Sequence, residues 1–164
     1  MTAQHYIEHL ELLPHPEGGY YKESYRSAGT VAASCLPGFG GDRSFSTAIY
    51  FLLQQGDFSA FHRIKSDECW HFYEGGNLLI HVLQQNGEYV CKRLGRNLGE
   101  EELLQFVVPA GAWFASEPAP GSSFALVGCT VAPGFDFEDF EMAKKDHLLQ
   151  SYANYGALIK RLCR

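Results

Sequence analysis

At 164 residues the chain has the size of one domain, long enough to bury a core of its own. Nearly half of its residues are apolar and aromatics are plentiful, which excludes a disordered chain, while a net charge of −6 excludes the concentrated basic face of a general nucleic-acid binder. No run approaches the roughly 18–20 apolar residues needed to cross a bilayer, so neither a membrane nor a nucleic acid is expected as a partner.

The start, "MTAQHYIEHLELLPHP", lacks a basic segment followed by an apolar core and is not a secretory signal. Cys35, Cys69, Cys91, Cys129 and Cys163 form no CxxC pair, and reduced thiols in a cytoplasmic protein are the expected state. Tyr6, Ile7, Leu10 and Leu13 stand at helical spacing until "PHPEGG" stops them, which predicts a short helix within residues 3–13. "YYKESYRS" then alternates, with Tyr21, Glu23 and Tyr25 on one face and Tyr20, Lys22, Ser24 and Arg26 on the other. Residues 29–43 are a glycine-rich excursion that fits either a lid or a loop touching a partner.

Eight strand-like runs follow between Ser44 and Thr130, from "FSTAIYFLL" to "FALVGCTV", separated by short turns. "QQNGEY" is a hairpin signal, with positive φ expected at both Asn86 and Gly87. Such a series predicts an all-β antiparallel sandwich or barrel rather than a parallel sheet. Beyond "APGFDFEDFE" the spacing turns helical. Leu148, Leu149, Tyr152, Leu158 and Leu162 form an apolar stripe, and Gly156 allows one helix or two short ones. The acidic run "FDFEDFE" lacks the ligand spacing of a calcium loop.

Chemistry concentrates in "GDFSAFHRIKSDECWHFYEGG", residues 56–76. Gly56, His62, Ile64, Glu68 and Gly75 are spaced as the first motif of the cupin superfamily, which carries a second histidine where Ile64 stands. Positions 62 and 64 share one side of a strand, and the "KSD" turn returns Glu68 on the neighbouring strand to face them. Two imidazoles and a carboxylate in such a place suit Fe, Mn, Ni or Zn. In "VVPAGAWFAS", Pro109 and Gly111 match the superfamily's second motif, but Phe114 replaces its remaining ligand, Pro118 its asparagine and Leu103 its leading glycine. Only His62 and Glu68 of four ligand positions therefore match, and His81 is the one reserve ligand if its strand register turns it inward.

"LPHPEGGYYKESYRS", "STAIYFLL", "FHRIKSDECWHFYEGG", "VVPAGAWFAS" and "GCTVAPGFDFEDFE" together resemble an RmlC-like cupin subfamily long catalogued as a domain of unknown function. The resemblance runs from about Leu10 to Glu141 and implies a cupin jelly-roll barrel that forms a dimer, with no established reaction. The barrel is expected over about residues 19–132 and a helical tail over about 138–163, with the strand around 19–27 crossing to the partner. RmlC itself is a nucleotide-sugar epimerase that works without metal, through a histidine base paired with an acid and a tyrosine. By that analogy His62 and Glu68 are the candidate catalytic pair. Tyr21, Tyr25, Tyr50 and Tyr73 are the candidate proton donors.

Trp70 and Phe72 share Glu68's parity and either line or fill the cavity; Trp113 and Phe114 either stack on a ligand or pack. Glu23, with Tyr21 and Tyr25, is a further candidate for ligand contact, and Arg26, Arg43 and Arg63 are candidate anion binders. The function expected first is a pocket binding a small polar ligand, such as a sugar or nucleotide-sugar, with acid–base chemistry at His62 and Glu68 and no cofactor. The alternatives are a metal-dependent cupin enzyme using His62, Glu68 and His81, and a barrel that binds or stores without turnover.

Overall fold

The computed structural model describes residues 1–164. Helix α1 spans Ala3–His9, capped by the Thr2 hydroxyl, which accepts from the His5 N–H at 3.3 Å. It ends earlier than its apolar spacing suggests, because Glu11 takes a left-handed φ of 53° and Leu12 N–H turns back to the Ile7 carbonyl. The strands are β1 (Leu13–Pro14), β2 (Tyr20–Arg26), β3 (Thr30–Val31), β4 (Arg43–Ser44), β5 (Thr47–Gln54), β6 (Ser59–Arg63) and β7 (Asp67–Gly75). They continue as β8 (Leu78–Leu83), β9 (Tyr89–Leu94), β10 (Gln105–Val108), β11 (Trp113–Pro118), β12 (Phe124–Ala132) and β13 (Glu141–Met142). Two short helices close the chain, α2 (Lys145–Ser151) and α3 (Gly156–Leu162). Gly156 thus opens the second helix rather than weakening a single one.

Two antiparallel sheets face each other, ordered β1-β2-β5-β12-β7-β10 and β13-β6-β11-β8-β9. Alternation along the strands sends Phe51, Leu53, Trp70, Ile80, Val82, Phe114 and Val127 into the space between them. Each such side chain contributes about 1.5–3 kcal/mol by leaving water. The opposite parity is covered as well. Leu52 and Leu126 pack under α1, while Phe61, Leu83 and Ala115 pack under Leu148, Ile159 and Leu162 of the closing helices. The β8–β9 turn closes from Gly87 N–H to the Gln84 carbonyl at 3.0 Å, and only Gly87, not Asn86, has a positive φ.

Strand β2 departs from simple alternation. Its register against β5 shifts between Glu23 and Tyr25, and beyond this bulge the two faces exchange. Tyr25 then faces solvent at 55% exposure, while Arg26 joins Tyr21 and Glu23 on the inner side. The face assignment expected for Tyr25 and Arg26 is reversed by that one inserted residue.

One end of the barrel is roofed by residues 133–140. Phe135 N–H donates to Thr47 Oγ1 at 2.9 Å, and Ser66 Oγ donates to the Pro133 carbonyl at 2.8 Å. The far end of this strap is pinned by Arg43, whose Nε and Nη2 donate to both oxygens of Asp139 at 2.7 and 3.0 Å. Both side chains are buried, so the candidate anion binder Arg43 is spent on structure. Burial pushes the Asp139 carboxyl up, but hydrogen bonding and charge from Arg43, with help from Lys65, hold it below its ordinary 3.8. Replacing Arg43 with Met is expected to cost about 3–5 kcal/mol in urea unfolding, because a buried carboxylate loses its partner. A group held low stabilises fully above its unfolded value, so wild type should lose this contribution as pH falls below 3.8. Asp139→Asn should flatten that part of the stability–pH curve.

Candidate functional site

The roofed end opens into a cavity of about 350 Å³. Its floor carries His15, Glu17, His62 and Glu68; Ile49, Ile64 and Val131 form apolar walls; Phe135, Phe137 and Phe140 of the strap stand over the mouth.

Glu17 enters because the turn "HPEGG" folds tightly against β6. Gly18 N–H donates to the His15 carbonyl, and His15 N–H donates to the Gly19 carbonyl, both at 3.0 Å. Gly18 has φ of 117°, and a Cβ there would lie 2.1 Å from the Phe58 carbonyl oxygen, so only glycine fits. One residue of β6 then grips both partners of the floor. Ala60 N–H donates to the Glu17 carbonyl at 2.9 Å, and the Ala60 carbonyl accepts from His62 Nδ1 at 2.7 Å.

The other ring nitrogen, Nε2, meets Glu17 Oε2 at 3.0 Å, and both side chains are buried. Burial works against the imidazolium, but Glu17 outweighs it, with smaller help from Glu68 and the Ala60 carbonyl, so His62 is held above its ordinary 6.5. Burial likewise opposes the Glu17 carboxylate, yet His62 and His15 hold it below 4.5. The pair is therefore an internal salt bridge near neutral pH. His15 stays neutral: burial lowers its affinity for a proton, and its Nδ1 accepts from the Glu17 N–H at 3.2 Å.

Glu68 is the exception on this floor. Burial drives its carboxyl up to about 7, against the pull of His62 and the Cys129 thiol and with the Glu17 charge adding to the rise. Trp70 Nε1 itself makes no hydrogen bond. The Glu68 carboxyl is thus brought near neutrality by burial.

The sequence-derived candidates divide clearly. His62, Glu68, Tyr21 and Glu23 line the cavity. Trp70 does not; it is clamped in the core, edge-on to Phe51 at 5.8 Å and to Phe114 at 6.2 Å. Phe114 fills space against His62, ring centroids 4.1 Å apart, and Phe72 packs at the core's edge. Trp113 lies outside, stacked 4.4 Å under the Arg63 guanidinium. His81 also faces away from the cavity. On β8 its neighbours Ile80 and Val82 take the inner side, and its ring bonds Tyr89 Oη at 2.8 Å and Glu117 Oε1 at 2.9 Å instead. Of the four candidate tyrosines only Tyr21 reaches the cavity; Tyr50 and Tyr73 pair with each other at 6.0 Å.

Two floor residues, His15 and Glu17, escaped sequence reasoning. "PHPEGG" reads as a helix stop, yet a histidine and a glutamate beside a Gly-Gly turn were the available signal. A cupin metal centre does not fit this floor. Ile64 and Phe114 offer no donor, both nitrogens of His62 are engaged, and no three His, Cys, Asp or Glu side chains are arranged to hold an ion.

A family model described as "Cupin superfamily (DUF985)" matches residues 4–143. An uncharacterized protein of Saccharomyces cerevisiae is 32% identical over 169 residues, covering 91% of this chain and 79% of that protein. Among solved structures, a hypothetical protein from Leishmania major aligns with TM-score 0.88 at 38% identity over 99% of both chains. A protein from Shewanella oneidensis aligns with TM-score 0.90 at 40% identity, over 100% of this chain and 98% of that one. Oxalate decarboxylase from Bacillus subtilis aligns with TM-score 0.55 at 16% identity, over 91% of this chain and 36% of its own, and shares the fold alone.

Replacing Glu17 with Gln should lower the pH at which His62 titrates, read by NMR of its ring nitrogens. In wild type, the share of stability from His62 is full below pH 6.5 and fades as pH rises through the raised value. The share from Glu17 is full above pH 4.5 and fades as pH falls through the lowered one.

Proposed function

The chain belongs to the DUF985 family of the cupin superfamily, and from its cavity we propose a small-molecule pocket that moves a proton on its ligand without a metal. The observation that carries this is the convergence, in one partly apolar cavity, of a carboxyl poised near neutrality and an imidazole that Glu17 holds toward its protonated form. Glu68 is the proton carrier. It takes a proton from carbon or oxygen when ionised and returns one when neutral.

His62 plays a different part from the base foreseen by analogy. With Nδ1 on Ala60 and Nε2 on Glu17, it has no lone pair to offer, and it supplies positive charge beside the reacting atoms. Negative charge that develops on a ligand oxygen, as in an enediolate, is met by that fixed cation. Tyr21 is the one tyrosine placed to assist as an acid. The cavity of about 350 Å³ sits at the small end of ligand pockets, which suits a monosaccharide-sized molecule and leaves a nucleotide outside. Isomerisation or epimerisation of such a molecule is the reaction class that these parts perform.

The reading includes a homodimer. β1 pairs only with Tyr20 and Tyr21, which leaves the edge of β2 from Lys22 to Arg26 open beside the exposed Tyr25. Sedimentation should give twice the chain mass; a monomer at micromolar concentration counts against the dimer.

Ligands found by thermal shift, in a screen of small sugars and sugar acids, should exchange carbon-bound hydrogen with deuterated solvent. Glu68→Gln should slow that exchange by roughly 10²–10⁴-fold while the ligand still stabilises the fold. Stabilisation without exchange in wild type leaves a binding barrel. Near-stoichiometric metal in protein purified without chelator, lost in His62→Ala, turns the assignment to metal chemistry.

A further inference from the structure

The bulge in β2 places an arginine and a glutamate side by side at the mouth of the cavity. Without it Glu23 and Arg26 would project from opposite faces; with it both line the pocket. Arg26 Nε donates to Glu23 Oε1 at 2.9 Å and Nη2 to Glu23 Oε2 at 2.7 Å, a two-point fork on a planar carboxylate. The guanidinium is also held independently, by Nη2 donating to the Phe135 carbonyl of the strap at 3.1 Å. Glu23 has no hydrogen bond besides those to Arg26 from its side chain, which is 39% exposed. An ion pair so exposed contributes little, so Glu23 can leave for water at small cost while Arg26 stays in place.

We propose that Arg26 is the anion-recognition residue of this cavity, and that Glu23 occupies, in the free protein, the place of a ligand carboxylate. The ligand is then a small monocarboxylic acid, its acid group on the Arg26 fork and its reacting end toward Glu68. This rests on the cavity being the ligand pocket proposed above. The charges at the mouth support a single negative charge. Lys22 is already paired with Glu11, so Arg26 is the cation that Glu23 satisfies at the mouth, and a ligand carboxylate replaces the Glu23 charge one for one. A phosphate dianion overshoots that balance and faces Asp136, whose Oδ1 is fixed by the Glu138 N–H. The fork itself accepts carboxylate and phosphate alike, so charge and not shape sets the preference. Phe137, stacked over His15 at the mouth, offers a flat apolar surface to the carbon skeleton between the two ends.

The proposal gives the two members of one ion pair opposite effects, which a structural role cannot do. Acetate, lactate and galacturonate are titrated against acetamide, lactamide and galactose, with glucose 6-phosphate as the phosphate probe. Calorimetry gives affinity, and the Arg26 Nε–H resonance gives location. At least one carboxylate should move that resonance and bind more tightly than its uncharged counterpart. Arg26→Gln should weaken its binding by roughly tenfold or more, the scale of a charge-assisted fork. Glu23→Gln should tighten it, by removing the competitor, and thermal midpoints of both variants should stay near wild type.

Three results overturn the proposal: no carboxylate moves the Arg26 resonance; both variants weaken binding alike; or glucose 6-phosphate binds tighter than every carboxylate. If galactose alone enters and still exchanges its protons through Glu68, the floor keeps its role and the carboxylate assignment falls. If carboxylates bind through Arg26 but Glu68→Gln changes nothing, the reverse holds.

Discussion

The buried contact between Glu17 and His62 governs the rest of the site. Removing two ions from water costs several kcal/mol each, which only close contact and further hydrogen bonds offset. Here the offset comes from a 3.0 Å approach and from the Ala60 carbonyl on the far ring nitrogen. The pair ties the N-terminal turn to β6, since Glu17 is held by its backbone and its side chain through neighbouring residues of one strand. It also bears on Glu68, whose carboxyl burial raises to about 7 while His62 pulls it down and Glu17 pushes it up.

Ile64 and Phe114 complete that logic. In the superfamily's metal-binding pattern these positions carry ligands; here both are apolar and buried, at 5% and 1% exposure. They lower the polarity around Glu68 and His62, so the change that dismantles a coordination sphere also strengthens the electrostatics of the groups that remain. Phe114 packs directly on the imidazole, which fixes the ring's orientation toward Glu17. The floor thus exchanges coordination geometry for packing geometry.

Much of the fold was legible because alternation and turns are local signals. Each of the eight runs between Ser44 and Thr130 corresponds to one of the strands β5 to β12, and His62 and Glu68 emerged from a spacing that resembles the cupin motif. What failed was whatever depends on parity surviving an irregularity or on contacts distant in sequence. Tyr25 and Arg26 exchanged faces at a bulge that no residue type announces. His81 sits next to two inward residues on an unbroken strand, and only the sheet register shows that its side carries the closing helices. Glu17 reaches His62 across a large gap in sequence, through a turn whose glycines are also ordinary helix terminators. Trp70 kept the expected parity but filled the core, because two phenylalanines clamp its ring.

The proton inventory of the floor narrows the chemistry further than the fold does. His62 is occupied at both nitrogens, Glu17 is consumed in holding it, and His15 is neutral with Nδ1 accepting a backbone N–H. Burial raises the Cys129 thiol well above its ordinary 9.0, with Glu68 adding to the rise, so it stays protonated. Glu68 is left as the unpaired carboxyl that burial brings near neutral pH, and it lines the cavity. A single carrier returns a proton to the side from which it took one, unless the ligand turns or a second acid intervenes. For the proton transfer proposed above, a single carrier favours neighbouring atoms of one ligand face, as in aldose–ketose interconversion. Inversion at one carbon needs an acid on the opposite side, and of the tyrosines weighed for that role Tyr21 alone lines the cavity.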